Sequence, residues 1–177
     1  MRKTRIIILF LVFSTGLIMS QTTSLGIGNG VDILIFDEGF EAGLNLNLSI
    51  NYSINQLMEI EFRPGVSIAS NFNGFYFGGY LKIFPIETPI YLIIGLKLHG
   101  NVGGGGNSTK IRDDLYMLPT LGIGYKIKVQ KTFLSFELSY QKPFPNGLTY
   151  SIIADQYYYS DDFNGVIGLN IGFAWEL

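Results

Sequence analysis

From Ala42 to Tyr52 the sequence alternates without a break: Ala42, Leu44, Leu46, Leu48, Ile50 and Tyr52 are interleaved with Gly43, Asn45, Asn47, Ser49 and Asn51. Successive side chains of a strand point to opposite faces, so this run reads as a β-strand with one apolar and one polar face. The same period returns in Met58, Ile60, Phe62, Pro64, Val66, Ile68; in Phe75, Phe77, Leu81, Ile83; and in Ile90, Leu92, Ile94, Leu96, Leu98. It continues in Leu115, Met117, Leu121, Ile123, Tyr125, Ile127, Val129; in Leu134, Phe136, Leu138, Tyr140; and in Phe163, Ile167, Leu169, Ile171, Phe173, Trp175. A weaker first run, Leu25, Ile27, Val31, Ile33, Ile35, brings the count to eight. No stretch after Gln21 carries helical periodicity.

Most of these runs exceed the five or six residues usual for globular strands and reach the roughly 9 to 11 that a tilted membrane strand needs. Short turns at Asn55, Glu87 and Lys131 join strands two to three, four to five and six to seven. Long connections, 100–113 and 142–162, follow strands five and seven. Short turns on one rim and long loops on the other are the polarity of an outer-membrane barrel. The expected fold is therefore all-β, an eight-stranded antiparallel up-and-down transmembrane β-barrel over residues 21–177.

Composition agrees. Charged residues make up 15% of the 177, against about 25% in a typical soluble domain. Cysteine is absent, which removes disulfides, thiolate metal sites and Cys nucleophiles. Residues 1–20 carry Arg2, Lys3 and Arg5, then an apolar run from Ile6 to Met19, then Ser20, and read as a signal peptide cleaved after Ser20. The mature chain then has 9 Lys and Arg against 14 Asp and Glu, a net charge of −5 that attracts no nucleic acid.

A soluble lipid-binding barrel would share the alternation but turn its apolar face inward. Here the polar face is rich in small residues: Gly43, Asn45, Asn47, Ser49, Gly65, Ser67, Gly78, Gly95, Gly122, Gly124, Ser135, Ser139, Gly168 and Gly172. These suit a cramped eight-stranded interior, where a solvated face would hold more Lys and Glu. The apolar face places Tyr52, Tyr125, Phe173 and Trp175 toward the short-turn rim and Phe75, Phe77, Tyr140 and Phe163 toward the long-loop rim, as two interfacial girdles.

The chain ends Asn170, Ile171, Gly172, Phe173, Ala174, Trp175, Glu176, Leu177, a polar-x-Gly-x-x-aromatic-x-hydrophobic pattern in which Asn170, Gly172, Trp175 and Leu177 hold the marked positions. This is similar to the C-terminal assembly signal of outer-membrane barrels, although that signal usually ends in Phe. With the signal peptide and the strand pattern, the chain resembles the small bacterial outer-membrane β-barrel proteins of the OmpX and PorT-like type. The resemblance implies contact with outer-membrane lipid and lipopolysaccharide, insertion by the barrel assembly machinery, and both termini in the periplasm.

The polar face also carries Glu59, Glu61, Arg63, Lys82, Lys97, Lys126, Lys128 and Glu137, charges of both signs that must find partners in the lumen. A turn at Lys131 and Thr132 would set Lys126 opposite Glu137. A turn around 71–74 would set Arg63 opposite Lys82, with Glu61 mediating between these two like charges. The only His, His99, reads as a solvated rim residue rather than a base. The run Gly103 to Gly106 lacks Gly-Lys-Ser/Thr and a following helix, so it reads as loop. Asp113, Asp114, Asp161 and Asp162 have no calcium-loop spacing and read as solubilising charge. No cofactor and no metal are expected.

In the second long connection, Tyr150, Tyr157, Tyr158 and Tyr159 could form a binding surface for an extracellular ligand or protein, or pack on one another. The functional expectation is a monomeric, non-enzymatic outer-membrane barrel with a side-chain-plugged lumen, structural or surface-binding through loops 100–113 and 142–162. A narrow, porin-like pore for small solutes or ions and a soluble lipid-binding barrel are the alternatives.

Overall fold

The computed structural model describes residues 22–37, 39–70, 72–85, 88–102, 114–143, 150–151 and 163–177. The proposed signal peptide, Gly103 to Gly106, Asp113, Asp161, Asp162 and Tyr157, Tyr158 and Tyr159 lie outside these residues.

The strands are β1 (Thr22–Phe36), β2 (Gly39–Asn55), β3 (Met58–Ile68), β4 (Gly74–Ile83), β5 (Ile90–Asn101), β6 (Asp114–Val129), β7 (Thr132–Gln141), β8 (Tyr150–Ser151) and β9 (Phe163–Glu176). All pairings are antiparallel. Each long strand pairs with its sequence neighbour, β7 with β9, and β9 returns to β1, so eight strands close a barrel without an edge. The two-residue β8 pairs only with Asp114 and Leu115 at the end of β6 and takes no part in the wall.

Stepping across paired residues once around the wall runs from Ser24 through Asn51, Glu61, Tyr80, Gly95, Thr120, Gln141 and Val166 to Leu34. The path returns to β1 ten residues further on, which is the stagger of the barrel. Stagger and strand number together tilt the strands by about 40°. Two side chains that face each other across the lumen are therefore never those a flat sheet would align.

The alternating apolar residues point outward. Leu44, Leu46, Leu48, Ile60, Phe77, Ile94, Leu121, Ile123, Leu138 and Leu169 each expose about half of their surface or more. Tyr52, Tyr125, Phe173 and Trp175 lie on this face near the short turns; Phe75, Phe77 and Tyr140 lie nearer the other end. Phe163 does not. A bulge where β9 meets β1 at Ile35 and Phe36 shifts its register, and Phe163 is 4% exposed inside the barrel.

The inner face mixes glycine with large aromatics more than its small-residue pattern suggests. A Cβ at Gly65 would lie 2.4 Å from the Tyr76 ring, at Gly78 2.3 Å from Tyr80, and at Gly124 2.2 Å from Tyr91. Gly65 is paired with Tyr76, and Gly124 with Tyr91, directly across the ladder. Each tyrosine lies flat over a strand that has no side chain there, which is how so narrow a tube accommodates phenol rings.

Candidate functional site

The lumen is layered from the short-turn end to the long-loop end. Its lower half is an ion network built on β3, β4, β6 and β7. Arg63 donates to both oxygens of Glu61 (3.0 and 2.6 Å) and reaches Glu137 Oε2 at 2.6 Å. Lys82 Nζ lies 3.0 Å from Glu61, 3.1 Å from Glu137 and 3.7 Å from Glu59. Lys126 donates to Glu59 at 2.6 Å, and the Tyr91 hydroxyl donates to Glu137 at 2.7 Å. Three cations meet three carboxylates, so this network carries no net charge. The Arg63 guanidinium also lies over the Tyr80 ring at 4.9 Å and the Lys82 ammonium over Tyr91 at 5.1 Å.

Lys97 sits higher and forms a separate pair with Asp32 at 3.3 Å, with Asn45 donating to the other Asp32 oxygen at 2.8 Å. Lys128 is not in the lumen network. Its side chain is 54% exposed at the short-turn mouth and pairs with Glu176 at 2.8 Å. Of the eight charges assigned to the lumen from sequence, Glu59, Glu61, Arg63, Lys82, Lys126 and Glu137 form one cluster, Lys97 another, and Lys128 neither.

Both expected registers are wrong. The β6–β7 turn is Gln130 and Lys131, one position earlier than the sequence reading, so Lys126 stands opposite Ser135 and Glu137 opposite Gly124. Gln130 adopts a left-handed φ of 57°, and no Gly or Asn marks the turn in the sequence. Across β3 and β4, Lys82 is opposite Glu59 and Arg63 is opposite Gly78. Glu61 nevertheless touches both Arg63 and Lys82.

Toward the long-loop end the lumen turns apolar. Leu34, Phe36, Phe72, Tyr116, Leu118, Phe163 and Val166 form one buried cluster. Phe72 enters from the β3–β4 connection and stacks on His99 with ring centroids 3.6 Å apart. His99 is thus fully buried, not a solvated rim residue, because it shares the inward parity of Lys97 on β5. Beside the ion network, between Glu61, Arg63, Lys82, Lys126 and Glu137 and the inner faces of β1, β2 and β9, lies a polar cavity of about 20 Å³, space for a single water.

Sequence reasoning missed Asp32, Tyr76, Tyr80, Tyr91 and Phe72. The first four lie on the polar parity of their strands, the one signal that could have found them. Phe72 lies in a connection and carried none. Asn170 faces the lumen opposite Glu137, Gly172 lies between Ser135 and Gly28, Trp175 points outward, and the Leu177 amide donates to the Thr23 carbonyl at 2.9 Å. Tyr150 is described only as part of β8. Among the described residues, no group of three or more His, Cys, Asp or Glu is placed to hold a metal ion.

No protein-family model and no curated protein matches the sequence. Solved structures do. Neisserial surface protein A superposes with a TM-score of 0.54 at 16% identity over 88% of this chain and 97% of that one. The N-terminal β-barrel domain of Pseudomonas aeruginosa OprF gives 0.56 at 14% identity over 89% and 100%. At these identities the likeness concerns the fold, an eight-stranded barrel shared over nearly the full length of both structures.

Proposed function

We propose that this chain is a non-enzymatic outer-membrane protein of the bacterial envelope, held in the bilayer by its outward face and closed to passage by its packed lumen. The observation that carries this reading is the inversion of polarity. Buried Glu59, Glu61, Arg63, Lys82, Lys97 and Glu137 are inside, while a belt of Leu, Ile, Phe and Val is exposed outside. Water cannot be the solvent of such a belt, since exposed apolar patches on soluble monomers stay near a few hundred Å². A lipid carrier of the lipocalin kind needs the opposite arrangement.

In this reading residues 1–20 are the export signal and the termini are periplasmic. The connections 100–113 and 142–162 face outside, where they serve a structural or surface-binding role. Kinship with the OmpX and PorT-like barrels is part of the proposal and rests on the terminal motif and the strand pattern. Burial of His99 beneath Phe72 supports the absence of catalysis, because no substrate could reach its imidazole.

The test combines cell fractionation with protease added to intact cells. The protein is expected in the outer membrane and cut within 100–113 or 142–162; cutting at Asn55 or Lys131 would reverse the orientation. Conductance steps of the purified protein in planar bilayers would replace the plugged lumen with the narrow-pore reading.

A further inference from the structure

One position interrupts the apolar belt. Among the described residues between the two aromatic girdles, Asn29 is the only polar side chain on the outward parity of the strands. It is the central residue of β1 and exposed, with Ile27 and Val31 beside it on its own strand and Leu46 and Ile171 directly opposite on the neighbouring ones. Its row lies midway between Leu25, opposite Trp175 of the lower girdle, and Ile33, whose partner Ile167 is opposite Tyr140 of the upper one. The Asn29 carboxamide makes no hydrogen bond among the described residues.

In the bilayer reading proposed above, on which this inference rests, that carboxamide lies at mid-height in hydrocarbon. Neither water nor a lipid headgroup reaches that depth, and a polar group without a partner there is costly. Folding does not call for it, since a leucine in its place would simply complete the belt. Elsewhere on the belt, exchanging lipid contact for protein contact gains little, because lipid tails are as apolar as leucine. The β1 face alone gains a hydrogen bond from a partner. A carboxamide both donates and accepts, so it is complementary to another carboxamide. A second copy inserted in the same direction carries its own Asn29 at the same depth, a match that any other partner would have to supply separately. Asn29 also lines a furrow of about 840 Å³ with Val31, Leu44, Leu46, Leu169 and Ile171, which gives a facing apolar surface room to pack.

We propose that the chain forms a two-fold dimer within the membrane, β1 against β1, in which the two Asn29 carboxamides exchange N–H···O=C hydrogen bonds across the axis. The β2 side of one copy then packs on the β9 side of its partner. The monomer expected from the sequence leaves both carboxamides unpaired.

The test uses the mature chain in liposomes, labelled with donor or acceptor dye through Lys131→Cys at an exposed turn, and follows energy transfer as the protein is diluted in lipid. Flotation with the liposomes is scored first. Transfer should then exceed the random-encounter level. Asn29→Leu should weaken dimerisation about tenfold, the order of an inter-chain hydrogen bond in lipid, and Asn29→Gln should retain it. Asn29→Leu should leave flotation and the folded band on unheated gels unchanged, since the side chain binds nothing in its own chain. With Asn29 intact and no dye, a short bis-maleimide should cross-link Val31→Cys near the axis and not Ile94→Cys on β5, which is outward-facing but four strands away. Failure to float would remove the bilayer reading and the dimer with it. Flotation with transfer at the random level, equal dimerisation of Asn29→Leu, or equal cross-linking from Ile94→Cys would each overturn the dimer and leave the bilayer reading standing.

Discussion

Arg63 on β3 and Glu137 on β7 are joined at 2.6 Å although 74 residues separate them, and their strands stand four apart in a wall of eight. The bond is a strut across the full diameter of the barrel. Lys97 on β5 and Asp32 on β1, also four strands apart, form a second strut nearer the long-loop end. A barrel wall is held by its ladder; struts of this kind fix its cross-section.

Glu137 is the hub of the lower strut, since it meets Arg63, Lys82 and Tyr91. Glu137→Gln should destabilise the barrel by up to about 3 kcal/mol, because Arg63 and Lys82 each lose one of their carboxylates and the buried network is left with a net positive charge, while Glu61 still meets both cations. Urea unfolding in micelles, followed by the loss of the folded band on unheated gels, measures it. A double Arg63→Met, Glu137→Met variant should recover part of the loss, since a packed apolar pair can replace a buried ion pair. A single variant as stable as the parent would mean that the hub contributes nothing.

Gly124 and Gly79 make opposite cases. Alanine at Gly124 would place its Cβ 2.2 Å from the Tyr91 ring and displace the Tyr91 hydroxyl from Glu137, whereas alanine at Gly79, on the outer face, meets nothing within 4 Å. Overpacking of this kind costs about 1–3 kcal/mol. Thermal unfolding should show a lowered midpoint for Gly124→Ala and little change for Gly79→Ala.

Phe72 covers His99, so Phe72→Ala should do more than lose about 3–5 kcal/mol of packing. It should expose the imidazole to the long-loop side. His99, the chain's one histidine, should resist acylation by diethyl pyrocarbonate in the parent and react in the variant while the barrel remains folded. Equal reactivity in both proteins would mean that the aromatic layer is open to solvent.

The β6–β7 register can be read with disulfides, because the chain has no cysteine of its own. Cysteines at Lys126 and Ser135, directly opposed, fall within the Cα separation of about 4.4–6.8 Å that a disulfide tolerates, and should oxidise readily. Cysteines at Lys126 and Glu137 are diagonal, beyond about 7 Å, and should remain reduced. The reverse result would restore the register expected from a turn at Lys131 and Thr132.

Period-two alternation determined the strand number, the antiparallel barrel and the face of the strand residues other than Phe163, which a bulge turns inward. Side-chain direction follows residue by residue from the pleat, and an apolar face as regular as Leu44, Leu46, Leu48 has no other use. The same parity had already put Glu59, Glu61, Arg63, Lys82, Lys97 and Glu137 on one inner surface, and it held His99 there too, although its strand-end position suggested a solvated rim. Which charge meets which was decided only in three dimensions. Register depends on the conformation of two or three turn residues, and at Gln130 a left-handed backbone arises without the glycine or asparagine that usually announces it. Contacts across the lumen depend further on a stagger of ten residues per circuit, a property of all eight strands together that no single hairpin encodes. Arg63 therefore reaches Glu137, Lys126 reaches Glu59, and Phe72 closes the end over His99, because tilt and closure of the whole wall carry distant strands to the same height.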